Sequence, residues 1–179
     1  MHVVTLTVTE KGYRHDPATG RLRRDDPEVT ADLRPDRAAA PVTVVGQLVR
    51  GLQQRARHGG PLSVVSCDNL PGNGGLLRGL VTEFVELLPA AERADLQAFL
   101  AGAVAFPATM VDRIVPATTD ADRAEAARLL GVTDEGVVVA EPFRQWVVQD
   151  AFTGPRPAWE RAGATLTGDV ALYLSLIHI

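Results

Sequence analysis

LSVVSCDNLPGNGGLLRGLVTEFVELLP, from Leu62 to Pro89, decides the fold. Leu62-Ser63-Val64-Val65-Ser66 is a short apolar, β-branched run, which predicts a buried strand. A polar loop follows, and Leu76, Leu77, Leu80, Val81, Phe84, Val85 and Leu88 then recur at the spacing of an amphipathic helix, with Pro89 near its end. The same order stands upstream. Val3, Val4, Leu6 and Val8 predict a strand over Val3 to Val8, and Pro41 starts a helix whose apolar stripe is Val44, Val45, Leu48 and Leu52. Arg55 to Arg57 give that helix a cationic last turn, which suits the negative end of the helix dipole, and Gly59-Gly60 stops it. Between the strand and the helix, Asp16 to Arg37 carries Pro17, Gly20, Pro27 and Pro35 without periodicity and reads as a loop excursion.

Strand, helix, strand, helix in that order is the pattern of an α/β parallel sheet with right-handed crossovers. Working outward, the sequence predicts further helices at about Glu92 to Gly102 and Asp120 to Leu130, and a strand at Val137 to Ala140. The strands at Val3 to Val8, Leu62 to Val65 and Val137 to Ala140 are expected in one sheet, because apolar β-branched runs suit burial on both faces. SCDNLPGNG then falls at the carboxyl edge of that sheet, where open α/β sheets bind their ligands.

Composition narrows the function classes. The 179 residues are 46% hydrophobic and 22% charged, the profile of an ordinary soluble domain. A net charge of −4 argues against a nucleic-acid surface, and the basic run Arg21, Arg23, Arg24 is answered at once by Asp25 and Asp26. No apolar run reaches the ~20 residues that span a bilayer, and the opening MHVVTLTVTE alternates like a strand rather than a signal peptide, so a cytoplasmic location is expected. Cys67 is the single cysteine, and His2, His15, His58 and His178 share no metal-ligand spacing with it, so no metal site is indicated.

In the loop SCDNLPGNG, Asn69, Pro71, Gly72 and Asn73 could simply build a turn, with Asn73 capping the next helix, or they could face a ligand. Gly72-Asn73-Gly74 is a poor phosphate cradle, because the third glycine position is Leu77. Val111-Asp112-Arg113-Ile114 alternates apolar and charged residues, so Asp112 and Arg113 diverge if the segment is extended; an internal ion pair is the competing reading. Glu141 precedes Pro142 and should stand at a strand end, and Trp146 reads as core. His15 and His58 read as exposed loop residues, and Cys67 as a small buried hydrophobe rather than a nucleophile.

AFPATMVDRIVPATT (Ala105 to Thr119), SCDNLPGNG (Ser66 to Gly74) and EPFRQW (Glu141 to Trp146) together closely resemble the mannitol dehydrogenase family of metal-independent polyol dehydrogenases and hexuronate reductases. The family pattern around x-Val-Asp-Arg-Ile-x-Pro is met by Val104, Phe106, Thr109, Val111, Asp112, Arg113, Ile114 and Pro116. The resemblance implies hydride transfer between NAD, or NADP, and a small polyol or keto-sugar. It also implies that Asn69 helps hold the oxygen at the reacting carbon, a task suited to an amide, which donates a hydrogen bond to a developing alkoxide without adding charge. By the same resemblance Asp112 lies at the substrate pocket, with Glu10 of TEKGY and Glu141 as weaker candidates for substrate contact or a proton route; Arg113 is expected to be structural.

The resemblance runs on through GPRPAWERAGATLTGDVALY, Gly154 to Tyr173, and stops there. The family's catalytic lysine falls, without a gap, on Ile177, and no G-x-G-x-x-G precedes the first helix. The expectation is therefore an incomplete copy. Residues 1 to 173 would be the later part of a Rossmann-type domain, without its amino-terminal half or a carboxyl-terminal helical substrate domain, and 174 to 179 a tail foreign to the family. Two functions follow: an oxidoreductase of mannitol/fructose or mannonate/fructuronate type by ancestry, or a non-catalytic α/β binding or scaffold domain.

Overall fold

The structure, a computed structural model, describes residues 1–34 and 39–174. Three strands form a parallel sheet: β1 (Val3–Leu6), β4 (Leu62–Ser66) and β5 (Val104–Ala105), in the order β1-β4-β5. Every residue of β4 is buried, as a central strand covered on both faces requires. Helices α2 (Val44–His58) and α3 (Asn73–Glu86) pack together against it, and α4 (Ala90–Ala103) adds Leu96 and Leu100 to the same core. Val45, Leu48 and Leu52 of α2, from the stripe read by periodicity, are joined by Val49 and meet Leu77, Leu80, Val81, Phe84 and Val85 of α3, while Val44 is only half-buried.

A second sheet stands beside the first. Strand β6 (Thr109–Asp112) runs antiparallel to β7 (Gln145–Gln149), which pairs in parallel with β8 (Thr165–Thr167). Met110 and Val147 make a small core there with Val170, which lies just ahead of the short helix α6 (Ala171–Leu174); Ala108, just before β6, and Tyr173 of α6 pack against it.

Several expectations need correction. Val137 to Ala140 is not a strand, and the third parallel strand is the two-residue β5. The 137–141 stretch instead lies along 114–118 through scattered bonds, such as the Thr118 hydroxyl to the Val137 carbonyl at 2.8 Å and the Glu141 N–H to the Ile114 carbonyl at 3.1 Å. The strand at the front ends at Leu6. Within the described part of the 16–37 excursion there are a short hairpin, β2 (His15–Asp16) with β3 (Arg21–Leu22), and a helix α1 (Pro27–Asp32) capped by Asp26. Helix α2 begins at Val44 rather than Pro41, since the Thr43 hydroxyl accepts from the Gly46 N–H at 3.0 Å. Pro89 opens α4 as well as following α3. His15 is buried, only 9% exposed, against the expectation of a solvent-facing imidazole. Of the tail expected at 174 to 179, residues 175–179 lie outside the described residues. Helix α5 (Asp120–Leu130) appears as read, held by a Thr119–Asp122 capping box, but none of its residues is buried.

Candidate functional site

The loop after β4 is where the two sheets meet. Gly72 takes φ 63°, a left-handed conformation that glycine adopts without strain, and it turns the chain into α3. Asn73 is the first residue of that helix rather than its cap. Its side chain is 1% exposed and behaves like a peptide unit set against the open edge of β6: Oδ1 accepts from the Thr109 N–H at 2.9 Å, and Nδ2 donates to the Thr109 carbonyl at 3.1 Å. The same Nδ2 lies 3.0 Å from Asp68 Oδ1, and the Thr109 hydroxyl donates back to the Ser66 carbonyl. Gly74 completes the joint. A Cβ there would lie 2.2 Å from the Phe106 carbonyl oxygen, so only glycine lets α3 come this close to 106–108.

Asn69, at the other end of the loop, is exposed. Its Oδ1 accepts from the Val111 N–H at 3.0 Å, two residues along the β6 edge from Thr109. This bond fixes which end of the amide is which, and it leaves the Nδ2 donors without a partner among the described residues. Asp112 follows Val111 directly and is half-buried. Strand alternation puts it on the face of Met110, and its carboxylate has neither an ion pair nor a hydrogen bond among the described residues, so the internal pair with Arg113 does not form. Arg113 Nε instead donates to the Glu141 carbonyl at 3.0 Å.

The remaining candidates separate from this pair. Glu141 is spent on Ile114, whose N–H its Oε1 accepts at 2.7 Å, so its carboxylate braces the start of the 114–118 stretch. Glu10 is exposed at the head of a single 3₁₀ turn, Glu10–Tyr13. Trp146 is half-buried, its ring 4.8 Å from that of Trp159. Cys67 is also only half-buried, and burial, helped by the charge of Asp68, pushes its thiol up, away from a reactive thiolate. No cluster of His, Cys, Asp and Glu among the described residues could hold a metal ion.

Sequence reasoning missed two residues. Tyr13, 1% exposed, donates its hydroxyl to Asp68 Oδ2 across the ends of neighbouring strands. Burial first, then the bond to Asp68, holds this phenol well above the usual tyrosine range, with the nearby Ser66 hydroxyl opposing in part, so it stays a donor. The signal was weak: a tyrosine buried at the end of a strand needs a partner for its hydroxyl, and Asp68 is one of several acidic residues that could supply it.

Neither helix N-terminus at this edge fits a pyrophosphate. The Asp32 carboxylate fills that of α2, accepting from the Val42 and Thr43 N–H groups, each at 2.9 Å, and from the Thr43 hydroxyl at 2.6 Å. The N-terminus of α3 is closed by the Asn73 side chain, which accepts from the Gly74 N–H at 2.8 Å, and by residues 106–108.

Residues 1–161 match the family model described as the mannitol dehydrogenase Rossmann domain. The chain is 46% identical over 172 residues to an uncharacterized oxidoreductase of Escherichia coli, YdfI, covering 96% of this chain and 34% of that one. It is 38% identical over 170 residues to mannitol 2-dehydrogenase of Aspergillus terreus, covering 94% and 33%. Among solved structures, the Pseudomonas fluorescens mannitol 2-dehydrogenase, a ternary complex with NAD and D-mannitol, superposes with a TM-score of 0.84 at 39% identity, covering 98% of this chain and 35% of that one. A substrate-free D-sorbitol dehydrogenase matches with the same TM-score of 0.84 at 34% identity, covering 97% and 35%. The chain thus spans about a third of the length of the relatives it matches.

Proposed function

Because this chain belongs to the mannitol dehydrogenase family, we propose that it carries the substrate-oxygen site of an NAD-dependent oxidoreductase acting on a polyol or its keto form, of the mannitol/fructose or mannonate/fructuronate type. The observation that carries this reading is the orientation of Asn69: its oxygen is committed to the Val111 N–H and its two donors are open, beside the unpaired carboxylate of Asp112. An amide held in that way donates to an oxygen that gains charge as the reaction proceeds, where a preorganised donor has its largest effect. Asp112 binds substrate hydroxyls, in the ground state and in the transition state alike. The nicotinamide supplies the hydride acceptor or donor. Neither helix N-terminus described above fits its pyrophosphate, so the roles proposed here for Asn69 and Asp112 are on the substrate side. The reaction also needs a base for the hydroxyl proton, and the lysine expected by resemblance stands as Ile177 here. The 179-residue chain by itself is therefore expected to show no oxidation of mannitol and no reduction of fructose or fructuronate, with NAD or NADP. A cytoplasmic location is part of the proposal, resting on the strand-like opening MHVVTLTVTE. No helix among the described residues is long and apolar enough to cross a membrane.

The test is steady-state kinetics of a complete enzyme built around this sequence. Asn69→Ala should lower kcat by a factor of roughly 10² to 10³ with little change in KM, the cost typical of a lost oxyanion donor. Asp112→Ala should affect both constants. A kcat within about twofold of the parent for Asn69→Ala would leave Asn69 a turn-building residue and favour the binding or scaffold reading.

A further inference from the structure

We infer that Tyr13 is the positioning residue of the Asn69 site: through its hydrogen bond to Asp68 it fixes the turn that aims the Asn69 amide. This rests on the reading of Asn69 as the residue that holds the substrate oxygen.

An exposed asparagine with a single hydrogen bond keeps its rotamer only if the backbone on either side is held. Both neighbours of Asn69 are held by one carboxylate. Asp68 Oδ1 accepts from the Leu70 N–H at 3.1 Å, closing a side-chain turn around Asn69, and lies 3.0 Å from Asn73 Nδ2. Its second oxygen is taken by the Tyr13 hydroxyl. With both oxygens engaged the carboxylate cannot turn about its last torsion. Without the hydroxyl, Oδ2 has no partner on this side and the two oxygens can exchange, loosening the turn.

Tyr13 is well made for the task. The ring is fixed in the main core, 6.4 Å from the His15 ring at an interplanar angle of 70°, so its hydroxyl has one direction only. It enters from the turn after β1, whose Leu6 pairs with Ser66 of β4, and it therefore ties together the carboxyl ends of two adjacent strands. A phenylalanine would fill the same core volume. The hydroxyl adds the bond to Asp68, and that bond serves the loop bearing Asn69.

The experiment uses the ¹⁵N-labelled 179-residue chain as Tyr13→Phe, Asn69→Ala and the double variant, reading amide-hydrogen exchange and the Asn69 side-chain NH₂ pair. Tyr13→Phe should speed exchange at Val111 by about tenfold relative to the core amides of Val64 and Leu80, the mark of local rather than global opening. It should also shift the Asn69 pair, and in the Asn69→Ala background it should add nothing further at Val111. Equal acceleration of Val64, Leu80 and Val111, an unmoved Asn69 pair, or effects that multiply in the double variant would each overturn the inference. Should Tyr13→Phe fail to fold, 3-fluorotyrosine incorporated in a Tyr173→Phe background makes the phenol more acidic at nearly unchanged shape. The Asn69 pair must then shift, and an unchanged pair overturns the inference. Failure of the functional reading is seen separately, as an unchanged kcat in Asn69→Ala of the complete enzyme.

Discussion

Asn69 and Asn73 share one loop and serve two regions of opposite character. Asn73 is sealed in the joint between the sheets, every polar atom of its amide bonded to backbone or to Asp68. Asn69 stands at the open end of the same β6 edge with half its amide unused. Both amides pair with β6, at Thr109 and at Val111, so the same chemistry builds in one place and offers a donor in the other. Burial separates the roles: a satisfied amide in the interior contributes stability, and one at the surface with free donors contributes little to the fold.

The largest effect expected from this contrast is at Gly74. Gly74→Ala puts a methyl group 2.2 Å from the Phe106 carbonyl and 2.8 Å from the Ala108 nitrogen, both backbone atoms that cannot step aside. It should cost about 3 kcal/mol or more in urea denaturation. Gly75→Ala, where an added Cβ meets nothing within 4 Å, should be neutral or up to about 1 kcal/mol stabilising in the same assay. Equal midpoints for the two variants would break the picture of a sealed joint.

Next in size is the direct comparison of the two asparagines. Asn73→Ala strands the buried N–H and carbonyl of Thr109 and should cost about 3 kcal/mol. Asn69→Ala exposes one already accessible N–H to water and should stay within about 0.5 kcal/mol of the parent. Thermal melts of both variants decide whether the contrast holds, and a reversal of their order would end it.

The smallest effect sharpens the contrast from outside the joint. The carboxyl of Asp122 is held below its ordinary range by the Thr119 hydroxyl and, after that, by the Thr119 N–H. A group depressed in the folded state stabilises it above its unfolded value, ~4, and that contribution is lost as pH falls through the lower folded value. Corrected for the slower intrinsic exchange in acid, the protection of the α5 amides should therefore fall as pH drops below about 4, before that of the core amides of β4, and Thr119→Ala should abolish the difference.

The first sheet was readable because its residues have a single use. Val64 and Val65 are apolar, β-branched and wholly buried, and the stripe from Leu77 to Val85 faces one core, so periodicity maps directly onto packing. Val137 to Ala140 carries the same composition and misled: Val138 is 70% exposed, and the stretch lies along a loop rather than in the sheet. Strand β5 escaped notice because two residues at the end of a helix have no period to detect. At the site, the motif marked Asn69 and Asp112, and the structure brings Asp112 to the residue after the one that Asn69 grips. Composition and spacing alone gave no means of ranking Asn69 against Asn73, whose difference is burial, and neither they nor the motif could find Tyr13 and Asp68, whose contact joins residues 55 apart in sequence.

Asp32 has a consequence for any anion that approaches this edge. Its carboxylate is tethered to the chain that it caps, so at the head of α2 it acts as a resident competitor at an effective concentration of roughly millimolar or above. A free phosphate group must exceed that standing concentration merely to draw level, and it would also have to displace three hydrogen bonds already made. Helix α2 thus discriminates by prior occupancy: the positive end of its dipole is neutralised from within, and an anion that arrives there meets no vacant site.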